Sequence, residues 1–409
     1  MEQSNEPTDP SETVPSKIWH RNLVALWIGL FLTSMGFSGM MPFLSLYINT
    51  MGDFSRSQVS LYSGLAFSAS FIVAAVVSPL WGSLADRYGR RVMLLRASLG
   101  MSICVFLMGT VNNVWMLIGL RFIQGAFSGY MPNSNALLAI QVPKSQSGKA
   151  LGILSTGGVS GSLFGPLVGG VLASIFSYRI TFFITGALML GVFFVTLFFV
   201  QEKFKPVTKE ANLNTAAVIQ ELPHPQLIFG MFITTMIIQA SNMSISPILS
   251  LYVKEIMQNS PTVTFFSGVV AAVPGIATLI AAPKFGSLGD RIGSQKVMIF
   301  GFLLAIVLFI PMAFVTNVWE LIALRFLLGV SNACMLPAVQ AILAKSTPAA
   351  VTGRIFSWNQ SFQAIGNFTG PLIGSLVSSI FDYSGVFLST AGLVLINLCL
   401  VVHQARKQF

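Results

Sequence analysis

Twelve apolar runs follow one another along this chain, at 23–48, 60–81, 92–111, 114–139, 151–176, 180–200, 227–253, 264–283, 297–315, 318–343, 355–380 and 385–402. Each has about the 20 residues that an α-helix needs to cross the hydrocarbon core of a bilayer. Inside hydrocarbon a segment must satisfy its own backbone hydrogen bonds, so runs of this length read as helices. Only 9% of the residues are charged and 54% are hydrophobic, whereas a soluble domain carries roughly a quarter of charged residues to cover its surface. The expected fold class is an all-α membrane protein with twelve transmembrane helices.

The charges that do occur sort by side. A net charge of +10 would point to a nucleic-acid partner on a soluble domain. Here, with the amino terminus inside, eighteen of the 23 Lys and Arg residues fall in tails and connections on that side. Arg56, Arg179 and Lys254 fall on the other side, and Arg121 and Arg325 lie within spans. This is the positive-inside bias of membrane proteins; it places both termini in the cytoplasm and leaves nucleic acid without a role. Residues 1–22 read as a polar tail without the basic start and apolar core of a cleaved signal peptide, and 403–409 as a second tail. Cys104, Cys334 and Cys399 sit in apolar runs and offer neither a disulfide framework nor metal spacing. No cofactor is expected.

The two halves of the chain repeat each other. Gly82-Ser-Leu-Ala-Asp86-Arg87-Tyr-Gly89-Arg90-Arg91 returns as Gly286-Ser-Leu-Gly-Asp290-Arg291-Ile-Gly293-Ser-Gln-Lys296, 204 residues later. Asn113-Val-Trp115 returns at Asn317, Leu120-Arg121-Phe122 at Leu324, Pro42 to Tyr47 at Pro247, and Gly165-Pro166 at Gly370-Pro371, at offsets of 204 or 205. Matched spans in one orientation imply parallel repeats about an axis along the membrane normal. The expected architecture is two pseudo-symmetric six-helix bundles, 23–200 and 227–402, joined by a cytoplasmic linker over the polar stretch 201–226.

The charged turn between spans 2 and 3 resembles the signature of the major facilitator superfamily, and the resemblance extends over about 18–402. The fifth-span pattern Gly157-Gly158-x-x-Gly161-x-x-x-Gly165-Pro166-x-x-Gly169-Gly170 resembles the motif of its drug:proton antiporters. Trp19-x-Arg21-Asn22-Leu and Gly353-Arg354-Ile-Phe-Ser-x-Asn359-Gln-Ser-Phe362 are most similar to multidrug efflux proteins of the MdtG type. The resemblance implies the major facilitator fold, a bacterial inner membrane, a cavity between spans 1, 4, 7 and 10, and two halves that rock about a midplane site. It also implies two latches on the cytoplasmic side. Asp86 would dock on the start of span 11 at Gly353 and Arg354, and Asp290 on the start of span 5 at Gly148 and Lys149. Gly82, Arg87, Gly89, Arg90, Arg91 and Arg291 complete the two turns. A carboxylate at a helix start meets the positive end of the helix dipole.

Gly157, Gly161, Gly165 and Gly169 recur every four residues, so they form a ridge that another helix can approach closely. Pro166 removes a backbone hydrogen bond and bends the helix. Tight packing follows whatever the partner; the resemblance implies span 8 of the other half, in a contact that slides or seals. Arg121 sits about 10 Å along span 4, where an arginine costs roughly 2.5–3.5 kcal/mol on insertion scales and needs a partner or a wet cavity. The resemblance gives it a part in proton coupling. Arg325 holds the matching place, with Leu328 where the first half has Gln124.

All thirteen acidic residues lie in tails, turns or span ends. A cavity whose deep charges are Arg121 and Arg325 is expected to favour neutral or anionic amphiphiles. Its lining is expected from Ser34, Met35, Ser38 and Met41 in span 1, Asn133 and Asn135 in span 4, Gln239, Asn242 and Met243 in span 7, and Asn332 and Gln340 in span 10. Flexible methionines suit a permissive pocket. Asn359, Gln363 and Asn367 form a polar stripe on span 11 that must face protein or water, and it is expected at an interhelical bond or at the cavity edge, with Asn359 and Gln363 counted among the cavity residues.

The expected function is secondary active export of drugs and other toxic amphiphiles in exchange for protons, by a functional monomer in lipid. A metabolite importer or uniporter of the same fold is the rival reading, and a non-transporting receptor a third. No nucleophile–base pair or metal cluster falls at a depth where an enzyme would use it.

Overall fold

The computed structural model describes the backbone of residues 16–202, 222–348 and 351–408, with side chains except at 16, 79, 86, 144, 145, 353 and 404–408. The first-tail and linker expectations fall largely outside the described residues. Thirteen helices are defined among these residues. They are α1 Ser16–Ile48, α2 Arg56–Tyr88, α3 Arg90–Met108, α4 Val114–Ala126, α5 Tyr130–Gln141, α6 Lys144–Ile175 and α7 Tyr178–Phe199, then α8 Pro225–Ser244, α9 Ser246–Ile256, α10 Val263–Ile292, α11 Ser294–Met312, α12 Val318–Ser346 and α13 Thr352–Gln408.

Ten stretches are individually long and apolar enough to cross a membrane. The pair α4–α5 supplies another crossing, and α8 with α9 makes a single one. Helix α13 reverses at Phe381 and Asp382, whose backbone is non-helical. Gly374 and Thr390 both lie against Ser244, Thr390 through a hydroxyl pair at 2.9 Å. In one straight helix they would be about 24 Å apart. The two arms of α13 therefore lie alongside each other as spans 11 and 12, and twelve crossings result.

Two of the repeated motifs, Asn-Val-Trp and the charged glycine turn, fall at helix ends. Asn113 and Asn317 each accept the N–H of the tryptophan two residues on, at 2.8 and 3.0 Å, which satisfies a backbone donor that the helix start leaves free. Gly89 and Gly293 join α2 to α3 and α10 to α11 at φ 95° and 100°, a region that residues with a Cβ rarely adopt.

Glycine ridges bind each bundle internally. Gly157, Gly161, Gly165 and Gly169 of α6 run along α1, against the carbonyls of Trp27, Phe31, Met35 and Gly39. Gly366, Gly370 and Gly374 of α13 repeat the contact on the carbonyls of Met236, Ala240 and Ser244 in α8. The expectation that the α6 ridge meets span 8 is thus corrected: its partner is span 1 of its own half. A four-step ridge presents a single helix face, and that face is turned to α1. The seam between the halves uses the adjoining face, where Gly170 and the Pro166 carbonyl meet Gly268 of α10. Gly64 of α2 meets the Pro371 carbonyl in the equivalent contact.

The seam is reinforced toward the end of the bundle remote from the termini. The Ser45 hydroxyl donates to the Pro247 carbonyl at 2.6 Å and the Ser68 hydroxyl to the Phe368 carbonyl at 2.8 Å. The Tyr178 and Thr264 hydroxyls lie 3.2 Å apart. Beyond them Arg56 pairs with Glu255 at 3.0 Å and Asp382 at 3.2 Å, and its guanidinium lies 3.9 Å from the centre of the Tyr383 ring.

Candidate transport site

Two turns into α4, Arg121 is 1% exposed. Its Nε–H donates to the Ala66 carbonyl of α2 at 3.0 Å and its Nη1 to Gln124 Oε1 at 2.8 Å. The Phe37 ring of α1 lies 5.6 Å from its Cζ. Arginine has donors only, so this bond orients the amide, with Oε1 toward Arg121 and Nε2 away from it. Arg121 Nη2 and Gln124 Nε2 are both buried without a protein acceptor. Arg325 repeats the first bond, Nε–H to the Val270 carbonyl at 3.3 Å, and Leu328 in place of Gln124 removes the second.

The crossing does not continue as one helix. Ala126 ends α4, Gly129 has φ 115°, and α5 begins at Tyr130. A single span was expected at 114–139, because the apolar run has no gap. Two sequence differences account for the interruption. Arg121 is eleven residues before Pro132, whereas Arg325 is twelve before Pro337, and Gly129 stands where the unbroken α12 has Ala333. A cavity of about 290 Å³ opens at the break, lined by Ser34, Phe37, Phe71, Gln124, Ser128 and Met131 among others. A separate space of about 10 Å³ lies inside the second half, between Ser241, Asn242, Asn332 and Asn397.

The expected lining residues divide. Ser34 faces the larger cavity, and Asn242 and Asn332 the smaller one. Met35 and Ser38 lie against Gly165, and Gln239 and Met243 against Gly366 and Gly370. All four stay partly exposed beside these helix contacts. Met41 packs on the core. Asn133 turns back to donate to the Gly129 carbonyl at 2.8 Å and closes the first turn of α5. The Oδ1 atoms of Asn135, Asn332, Asn359 and Asn367 are buried without protein partners, and Gln340 and Gln363 are half-buried.

At the signature turns, Gly82 is exposed with open space around it, as is Gly286. Arg87 lies over the Tyr88 ring at 5.9 Å, and Arg291 is exposed. The backbone N–H groups of Arg90 and Arg91 donate to Glu202 at 3.0 and 2.7 Å, and Arg91 Nη2 donates to the Leu197 carbonyl at 2.7 Å. Asp290 pairs with Lys345 of its own half at 3.2 Å, and nothing lies within 4 Å of a Cβ built on Gly148. The side chain of Asp86 and position 353 fall outside the described residues, and Arg354 stands half-buried at the start of α13. Sequence reasoning missed Glu202, Lys345 and the roles of Arg56 and Gln124. Of these only Gln124 carried a signal, its placement one turn after Arg121.

Twelve crossings in two repeats, joined by a glycine–proline seam and enclosing a buried cation beside a mid-depth cavity, define a secondary transporter. Residues 26–257 and 231–408 each match the family model of the Major Facilitator Superfamily, and the chain belongs to that family. The multidrug resistance protein MdtG of Citrobacter koseri is 49% identical over 379 residues, covering 93% of both chains. That of Escherichia fergusonii is 48% identical over 399 residues, covering 98% of both. Among solved structures, a bacterial homolog of the human lysosomal transporter Spinster, in an inward-facing and unoccupied conformation, aligns with TM-score 0.78 at 14% identity over 96% of this chain and 98% of that one. The nucleoside transporter NupG aligns with TM-score 0.74 at 15% identity, over 93% and 98%; at such identities the likeness is one of fold.

Proposed function

We propose that this protein is a multidrug efflux transporter of the inner membrane, exporting amphipathic toxic compounds in exchange for protons by alternating access. Its near-full-length likeness to multidrug resistance proteins supports the class. The observation that carries the mechanism is the cavity of about 290 Å³ at mid-depth beneath an inter-half seam. The positive-inside bias supports a cytoplasmic location for both termini. The seam and the Arg56 cluster then lie on the outer side, and this form is closed to the outside. The bodies 23–200 and 227–402 rock about the seam, and a single chain suffices.

The substrates are neutral or anionic amphiphiles. Arg121 Nη2 and Gln124 Nε2 are donors in need of an acceptor, and every acidic residue lies in a tail, turn or span end. Protons then act through Asp86 and Asp290, the acids of the two cytoplasmic latches, with Arg121 as the fixed cavity charge. Proteoliposomes loaded with an anionic naphthalene sulfonate dye or with ethidium test this reading. Uptake or release driven by a pH gradient, with preference for the sulfonate, is expected. Export that persists after the gradient is collapsed rules out antiport, and export of ethidium alone rules out the charge preference.

A further inference from the structure

The two halves differ where α4 stops, and the difference is chemically provided for. Interrupting a helix leaves carbonyls without partners, and within a membrane non-helical backbone persists only where protein or water satisfies it. Trp81 of α2 donates its indole N–H to the Ala126 carbonyl at 2.8 Å. Arg96 of α3 donates to the same carbonyl at 3.3 Å and to the Ser128 carbonyl at 2.7 Å. Its guanidinium lies 3.7 Å from the centre of the Trp81 ring, a cation–π contact that sets the plane of the donor fork. At the matching positions of the second half, 204 residues on, stand Phe285 and Phe300. They stack on each other with centroids 6.1 Å apart, beside an α12 that has no break and needs no donors.

The pocket follows the break. Ser128, Gly129, Tyr130, Met131 and Pro132 form one wall of the 290 Å³ cavity, and every residue that lines it, from Leu30 to Ser162, belongs to the first half. The remaining wall is largely apolar, with Gln124 presenting an unpartnered Nε2 donor. We infer that Trp81 and Arg96 are positioning residues that hold span 4 open, and that the pocket so formed in the first half binds the apolar body of the transported amphiphile. The Gln124 amide donates to an acceptor on it. The ligand site is therefore one-sided and does not lie on the pseudo-twofold axis. The inference rests on the reading of the protein as an amphiphile exporter.

Three variants test it, each checked for an unchanged melting temperature. R96K retains a cation but cannot fork to two carbonyls while lying flat on the indole. W81F/R96F copies the second half. The third variant adds to W81F/R96F a graft of residues 330–336 in place of 126–131, restoring the longer spacing. In the graft, backbone amides over the junction should exchange at least tenfold more slowly, as a closed helix requires. The KM for the sulfonate dye should rise about tenfold with Vmax changed less than twofold, the loss expected when a fitted apolar pocket is filled. R96K should raise KM by about threefold.

Fast exchange in the graft would overturn the role of Trp81 and Arg96, and slow exchange with an unchanged KM would overturn the pocket. If the graft does not fold, unchanged KM values in both other variants overturn the inference. Failure of the unmodified protein to move either dye would count against the efflux reading, while exchange at the junction still reports on the helix.

Discussion

Gly268 of α10 lies so close to the carbonyl of Pro166 in α6 that a methyl group at 268 would overlap the oxygen. Gly64 stands to Pro371 in the same relation. Gly268→Ala or Gly64→Ala must therefore push the halves apart at the end remote from the termini. Ser45 is fully buried in that seam, so an S45C reporter should react several-fold faster with an impermeant maleimide in either glycine variant. Equal reaction rates would show that the seam yields elsewhere.

The ridges make a contrasting prediction. Gly169 and Gly374 face carbonyls within their own bundles, so Gly169→Ala and Gly374→Ala should each cost about 1–3 kcal/mol of stability, as overpacking does. Melting temperatures in detergent should fall similarly for both. Were the α6 ridge the sliding surface, Gly169→Ala alone would impair transport and Gly374→Ala would be silent.

Arg56 clasps the two halves at the end remote from the termini. Its pairs with Glu255 and Asp382 are partly exposed, and such pairs contribute about 0.2–1 kcal/mol each. Arg56→Gln should leave the melting temperature nearly unchanged and shift the ratio of forms open and closed at that end by about two- to fivefold. Spin-label distances across that end would register this, and raised ionic strength should reproduce part of it.

Glu202 caps α3 by accepting two successive N–H groups. Glu202→Ala removes both acceptors and should destabilise the protein by about 0.5–2 kcal/mol, the range for helix caps. Thermal unfolding checks this, and a transport loss without a stability loss would assign Glu202 a different role.

Arg121 and Arg325 look equivalent along the chain and differ in their partners. Arg121→Lys gives up the fork that spans the Ala66 carbonyl and Gln124 and should lower dye export at least about tenfold. Arg325, bonded to one carbonyl at 3.3 Å, should tolerate lysine with a change of under about threefold. Equal losses would place the coupling charge in both halves.

The membrane crossings were readable because apolar length decides them: the run at 180–200 became α7 Tyr178–Phe199. The ridge was readable too, since spacing tells which residues share a helix face. Its partner was not, because periodicity carries no information about which neighbour that face meets. The break in span 4 left faint traces, a one-residue difference in spacing and Phe285 and Phe300 where Trp81 and Arg96 stand. Neither interrupts the apolar run, so hydropathy passes over them. Contacts such as Asp290 with Lys345 join residues far apart in the chain through helix geometry alone.

The paired glycine–proline contacts of the seam also set a lever ratio. From Gly64 to the signature turn at Asp86, α2 extends about 33 Å, while the Arg56 clasp lies only about 12 Å the other way. A tilt of about 10° about these contacts displaces the turns by about 6 Å and the clasp by about 2 Å. The mouth at the Arg56 clasp can thus remain nearly still while the mouth at the signature turns gapes, and small forces at the charged turns act there with mechanical advantage.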